Sequence, residues 1–307
     1  MKMLHFPNIL AWVQLAPGVF TYQDASRHFL RGEADTNTNQ LDLWVILESM
    51  VEQGLLERVG NARGRYRVKD DKLVKMDIFS ASVDPEPIWL PFGAQKLVNI
   101  YPGNIITIGG EKESGKTALS LNIAFDNRDK YTVHYFNSEM GPEECRVRCA
   151  KYSESHRISL REWEDINFYE RSDNFADVVF PGKGNLNIID FYECHGEFYE
   201  MGRGIRDIHD RLDGAVCVLN IQKNKGADLP LGGARSLEKT RLHFSLMRLP
   251  GEEYPHRLRI DLGKNWAQEK LNPRGLYVDY KLGGGCFLKA KIHIVGGKPK
   301  HWQVETN

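Results

Sequence analysis

Apolar residues fall along this chain in two registers, and each register predicts a different element. The runs at 105–108, 132–136, 186–190 and 215–222 are short, nearly continuous and rich in β-branched residues. Such runs predict strands buried on both faces. Between the first two, 118–124 reads as a helix. After the second, Gly141-Pro142-Glu143-Glu144 reads as a helix start, with proline at the first helical position and acids in the first turn. Further strands are predicted at 242–247 and 258–262. From 275 to 303 apolar and polar residues alternate, which predicts antiparallel strands at a sheet edge.

The segment before residue 75 has a different texture. Residues 22–30 read as a short helix, and a polar stretch at 32–39 follows. A longer amphipathic helix spans 39–53, where Leu41, Trp44, Val45, Leu47, Glu48, Met50 and Val51 recur at helical spacing with one apolar face. Gly54 ends it. Residues 55–59 and 64–68 form a predicted hairpin with its tip at 60–63. The expected division is a first domain at 1–75, a linker at 76–90 and a second domain at 91–307. The linker carries Asp84-Pro85-Glu86-Pro87, which should be extended and semi-rigid.

Charge and composition narrow the classes. Lys plus Arg and Asp plus Glu number 41 each, so no global field draws the protein to a polyanion. Any nucleic-acid contact must be a local patch. No apolar run reaches bilayer length and no opening segment reads as a signal peptide, so the expectation is a cytoplasmic protein without a membrane partner. The five cysteines lack C-x-x-C spacing, which argues against a disulfide framework or a zinc site. Cys145 and Cys149 share a helix face and read as buried thiols.

The chemistry concentrates at Gly110-Glu111-Lys112-Glu113-Ser114-Gly115-Lys116-Thr117, which fits G-x-x-x-x-G-K-[ST]. The strand before it and the helix after it are the context this phosphate-binding loop needs. Its backbone N–H groups would cradle a nucleotide, Lys116 would reach the β- and γ-phosphates, and the Thr117 hydroxyl would ligate Mg²⁺. ATP and Mg²⁺ are the expected cofactors. The 132–136 strand runs into Asn137-Ser138-Glu139-Met140. If that strand lies beside the loop strand, Glu139 can face the γ-phosphate and polarise an attacking water as general base.

The segment Tyr135-Phe136-Asn137-Ser138-Glu139-Met140 and the helix after it resemble the strand–Glu-Met–helix segment of RecA-superfamily ATPases, with the DnaB-like and RepA-like replicative helicases nearest. The resemblance spans roughly 90–287 and implies a RecA-like P-loop α/β core with a mostly parallel central sheet. It implies roles for further residues. Asp190, ending the 186–190 strand, would hold Mg²⁺ opposite Thr117. Gln222, ending the 215–222 strand, would sense the γ-phosphate. The polar loop after it, with Lys223 and Lys225, would line a channel for single-stranded nucleic acid. The segment 195–204, with Arg203, would be the second channel loop. Arg241, with Arg235 second, would be an arginine finger reaching a neighbouring copy's nucleotide. Many DnaB-like and KaiC-like proteins carry K-x-R after the next strand; here Lys264 matches the Lys, but Trp266 stands where the Arg would be.

Residues 1–75 resemble a small winged helix-turn-helix domain, mostly through the helix and hairpin at 52–68. Arg63 and Arg65 near the hairpin tip suit phosphate contacts. Docking to protein is the other use of such a domain, and its central helix is not basic. Together the resemblances imply a DNA-directed ATPase of the helicase-like type, working as a homo-oligomeric ring or filament on single-stranded or duplex DNA. A RecA-like filament-forming recombination or regulatory ATPase, and a KaiC-like signalling ATPase without nucleic acid, share the same motifs.

Overall fold

The computed structural model describes residues 5–15, 18–30, 37–60, 64–69, 73, 75–193, 198–283 and 286–292. The chain divides into two units, 1–81 and 82–307.

The first unit runs α1 (Phe6–Leu15), β1 (Val19–Thr21), α2 (Tyr22–Phe29), α3 (Asn37–Glu52), β2 (Leu56–Arg58) and β3 (Arg65–Val68). The strands form an antiparallel sheet in the order β1-β3-β2. Thr21 starts α2 by a reciprocal cap: its hydroxyl accepts from the Asp24 N–H, and the Asp24 carboxylate accepts from the Thr21 N–H at 2.8 Å. Ile9, Val13, Phe20, Leu43, Leu47, Met50, Leu56 and Tyr66 fill the core. Two features differ from expectation. α1 and β1 were not anticipated, because 6–15 is apolar almost all round and shows no helical period. On α3 the buried stripe is Leu43, Leu47 and Met50, whereas Leu41, Trp44 and Val45 are about half exposed. The apolar residues of α3 spread around the helix, so spacing alone does not choose the buried face.

The second unit is mixed α/β. It runs β4 (Ile105–Gly110), α4 (Lys116–Asn127), β5 (Thr132–Asn137), α5 (Pro142–His156), β6 (Ile166–Glu170), β7 (Asn185–Asp190), α6 (Phe198–Arg211), β8 (Val216–Gln222), β9 (Thr240–Arg248), β10 (His256–Gly263), β11 (Tyr277–Gly283) and β12 (Cys286–Ile292). Among the described residues these strands form one nine-stranded sheet in the order β12-β11-β10-β9-β4-β8-β7-β5-β6. The six strands from β9 to β6 are parallel, and β10, β11 and β12 add antiparallel at one edge.

Alternation explains the continuous apolar runs. Ile106, Ile108, Val133, Tyr135, Leu186, Ile188, Val216 and Val218 pack on one sheet face. Ile105, Phe136, Ile189, Cys217, Leu219 and Ile221 pack on the other, against Ile205 and Ile208 of α6. A strand covered on both sides needs apolar residues at every position. The end of the expected linker belongs to this unit. Ile88 and Leu90 are buried in its core, the Trp89 N–H donates to Asn127 Oδ1 at 2.7 Å, and the Tyr131 hydroxyl donates to Glu86 at 2.8 Å.

Candidate nucleotide site

β4, β8, β7 and β5 are parallel, so they end at one rim of the sheet. The register places Gly110 beside Gln222 and Asn137 beside Asp190. Loops leaving the carboxyl ends of parallel strands build the ligand site of such sheets. A cavity of about 860 Å³ opens there, lined by residues 112–118 with Glu139, Arg148, Phe191, Tyr192, Met201 and Gln222.

The loop between β4 and α4 has the geometry of an anion cradle. Gly115 sits before the helix at φ 96°, the left-handed region, where a side chain would be strained. A Cβ on Gly110 would lie 2.8 Å from Lys116 Cγ, so the turn tolerates no side chain at that end. The first turn of α4 directs N–H groups into the cavity. Lys116 Nζ folds back onto the carbonyls of Gly110 and Glu111 at 3.1 and 3.0 Å. Burial lowers its pKa, while Asp190 and Glu139 oppose that fall. The Ser114 hydroxyl is buried with no hydrogen-bond partner. An orphaned hydroxyl inside a glycine-bounded cradle fits a phosphate, which would supply the missing acceptor.

Asp190 is buried at the end of β7. The Thr117 hydroxyl lies 3.4 Å from its Oδ1. Two oxygen donors facing each other across a phosphate cradle suit a hard cation such as Mg²⁺. No cluster of three His, Cys, Asp or Glu side chains is present among the described residues, so nucleotide and water oxygens would complete that shell. Glu139 faces the same cavity, but its strand is not beside β4. β8 and β7 intervene, so the expected adjacency is wrong. Glu139 reaches the cavity because its turn is fastened to β7: the Ser138 N–H donates to the Asp190 carbonyl at 3.0 Å, and the Ser138 hydroxyl accepts from the Phe191 N–H at 3.1 Å. Asn137 shapes the same turn, its Oδ1 accepting from the N–H groups of Glu139 and Met140.

Other expected residues lie apart from this rim. Arg241 is exposed at the start of β9, not before it. It is the extra residue of a β-bulge, since Ile105 pairs with Thr240 and Ile106 with Leu242. Gly110 lies five register steps further along, so Arg241 sits about 17 Å along the sheet from the loop end of its own β4. The Lys264 N–H donates to the Arg241 carbonyl at 3.0 Å, which brings both cations to one corner. Burial, then repulsion from Arg241, lowers the Lys264 pKa. Neither residue can reach the cradle of its own chain. Arg235 pairs with Glu238 at 2.8 Å.

The expected nucleic-acid residues separate. Lys225 is exposed in the loop after β8, but Lys223 is only 2% exposed and donates to Ser245 Oγ at 2.6 Å. Lys223 is therefore corrected from a phosphate contact to a buried residue, because its stem turns under the sheet rim towards β9. Burial lowers its pKa. Arg203 lies on α6, so the second loop expected at 195–204 is helical from residue 198; Arg203 is exposed, 3.8 Å from Asp207. In the first unit Arg65 is exposed, whereas Arg58 pairs with Glu48 and Arg67 with Glu57. Arg63 lies outside the described residues.

Sequence reasoning missed Tyr135, Asn137, Ser138 and Asn220. All are polar residues inside or just beyond strand runs that read as core, and no spacing rule marks them.

No protein-family model matches the chain, and no curated protein matches its sequence. No helix among the described residues is long and apolar enough to cross a membrane. Among solved structures, the chain is similar to the ATPase domain of a DnaB-like helicase, with 17% identity, a TM-score of 0.46, and coverage of 64% of this chain and 90% of that one. It is also similar to the RadB recombinase, with 15% identity, a TM-score of 0.44, and coverage of 60% of this chain and 90% of that one.

Proposed function

We propose that the chain is an ATPase of the RecA-like P-loop type that acts on DNA in a homo-oligomer, in the manner of a helicase. The observation that carries the ATPase reading is convergence. The phosphate loop, Glu139, Asp190 and Gln222 come from four separate elements and meet at one cavity. Bound ATP with Mg²⁺ supplies a phosphoryl group able to leave. The chain's own residues do the rest. The α4 N-terminus and Lys116 bind and orient the phosphates. Glu139 accepts a proton from the attacking water. Gln222 offers a neutral amide to the γ-phosphate. Arg241, exposed and distant from its own cradle, would act on a neighbouring copy's nucleotide, with Lys264 beside it. We read the first unit, a helix, a strand, two helices and a hairpin, as a winged helix.

A second reading has a specific observation behind it. Lys223 is buried, and Arg58 and Arg67 are each paired to a carboxylate in cis. That leaves less free positive charge for nucleic acid than the sequence suggests, and it favours an ATPase that signals without a nucleic-acid ligand. ATP hydrolysis measured with and without single-stranded DNA, beside Lys116→Ala as the inactive control, separates the two. Stimulation by DNA supports the first reading, and an unchanged rate supports the second. Hydrolysis by Lys116→Ala at the wild-type rate refutes both.

A further inference from the structure

The Asp190 carboxylate is gripped on both oxygens by side chains from the strands on either side of it. On one side, the Tyr135 hydroxyl of β5 donates to Oδ2 at 2.6 Å. On the other, the Asn220 amide of β8 donates to Oδ1 at 2.5 Å. Asn220 is itself fixed, because its Oδ1 accepts from the Ser120 hydroxyl at 3.0 Å. Ser120 lies on α4, three residues after Thr117, so both face the same way from that helix. Thr117, Asp190, Asn220 and Ser120 thus form a polar circuit between α4, β7 and β8, which Tyr135 joins from β5.

Tyr135, Asn220 and Ser120 are all buried. A phenol or amide inside a sheet costs free energy unless it is hydrogen-bonded, and apolar residues would fill these positions if packing were their whole task. Burial and the nearby Asp190 charge push the Tyr135 phenol well above its ordinary range, so it stays a donor. A carboxylate held from both sides cannot rotate about its last bond. Its outward oxygen stays aimed at the Thr117 hydroxyl.

We propose that Tyr135 and Asn220 are positioning residues that fix the Asp190 carboxylate for a divalent cation shared with Thr117. This rests on the reading of the cavity as a Mg²⁺–nucleotide site. Residues that orient a ligating carboxylate typically change metal affinity about 10–100-fold when removed.

The test follows binding of a fluorescent ATP analogue to the full chain as Mg²⁺ is titrated, and separately in EDTA. In Tyr135→Phe, which removes one hydroxyl, and in Asn220→Ala, the Mg²⁺ concentration for half-maximal effect should rise about 10–100-fold. Binding in EDTA should match wild type. Ser120→Ala, acting only through Asn220, should shift the midpoint the same way by less, and it serves if the larger changes prevent folding. A wild-type Mg²⁺ midpoint in these variants overturns the proposal, even if their melting temperatures fall, because the residues would then be structural. An equal loss in EDTA also overturns it. Wild-type protein that binds the analogue with no dependence on Mg²⁺ refutes the underlying site reading instead.

Discussion

Neutralising Lys225 should remove one phosphate contact, and neutralising Lys223 should remove none. The two lysines are separated by one residue in the loop after β8, yet only Lys225 is exposed; Lys223 is 2% exposed and bonded to Ser245. Each phosphate contact on a single strand contributes about 0.7 to the slope of log affinity against log salt. Lys225→Gln should therefore flatten that slope by about 0.7, which between roughly 50 and 200 mM salt is a factor of about 2.6 in affinity. Lys223→Met should leave the slope unchanged. It should instead lower the melting temperature, since loss of the ammonium strands the Ser245 hydroxyl at a cost of about 1–3 kcal/mol. The assay is fluorescence anisotropy of a labelled oligonucleotide across a salt series, with a non-hydrolysable ATP analogue present. A Lys223→Met slope that drops as far as that of Lys225→Gln, with the fold intact, refutes the reasoning from burial. An unchanged slope in Lys225→Gln removes this loop from the nucleic-acid surface.

Glu139→Gln should keep nucleotide binding and lose hydrolysis by about 10²–10⁴-fold, read as phosphate release; a loss of only a few fold would move the general base elsewhere. Arg241→Ala should bind nucleotide normally and hydrolyse slowly, and mixing it with Lys116→Ala should restore part of the activity, because each copy supplies what its neighbour lacks. No recovery in verified mixed assemblies counts against action between copies. His243 is fully buried on β9, and burial holds its pKa at about 4, below the unfolded value near 6.5. A depressed histidine pKa means the unfolded chain takes up the proton first, so stability is complete above about pH 6.5 and falls as pH drops towards 4. The loss is about 1.4 kcal/mol per unit and about 3 in all. Urea unfolding across that range should show the slope in wild type and a flatter one in His243→Asn, and equal slopes would show that other groups carry the acid sensitivity.

The strands of the parallel block that carry the site were legible because a strand covered on both faces must be apolar throughout, and five of the parallel strands have that texture. Lys116, Thr117, Asp190 and Gln222 were legible because each stands at a strand or loop terminus. Strand order was not legible. Hydrophobic runs say which segments are strands but not which are neighbours, so Glu139 was placed beside the phosphate loop when two strands separate them. The fate of Lys223 was hidden for a related reason. A charged residue after a strand reads as solvated unless the partner that buries it, here Ser245 on β9, is known to lie alongside. On α3, Leu41, Trp44 and Val45 looked like core because composition cannot tell a buried stripe from an exposed one when apolar residues surround the helix.

The bulge that turns Arg241 outward lies at the opposite end of β4 from the phosphate loop, and that separation has a consequence for how activity scales with assembly. If Arg241 completes the neighbouring copy's site, donor and acceptor surfaces differ, and copies associate head to tail rather than about a two-fold axis. An open chain of n copies then holds n − 1 finished sites, because the copy at one end has no donor, whereas a closed ring holds n. Turnover per copy in an open polymer would climb with concentration towards a plateau as ends become rare. In a ring it would rise with assembly and then stay flat, so kinetics alone would register whether the assembly has ends.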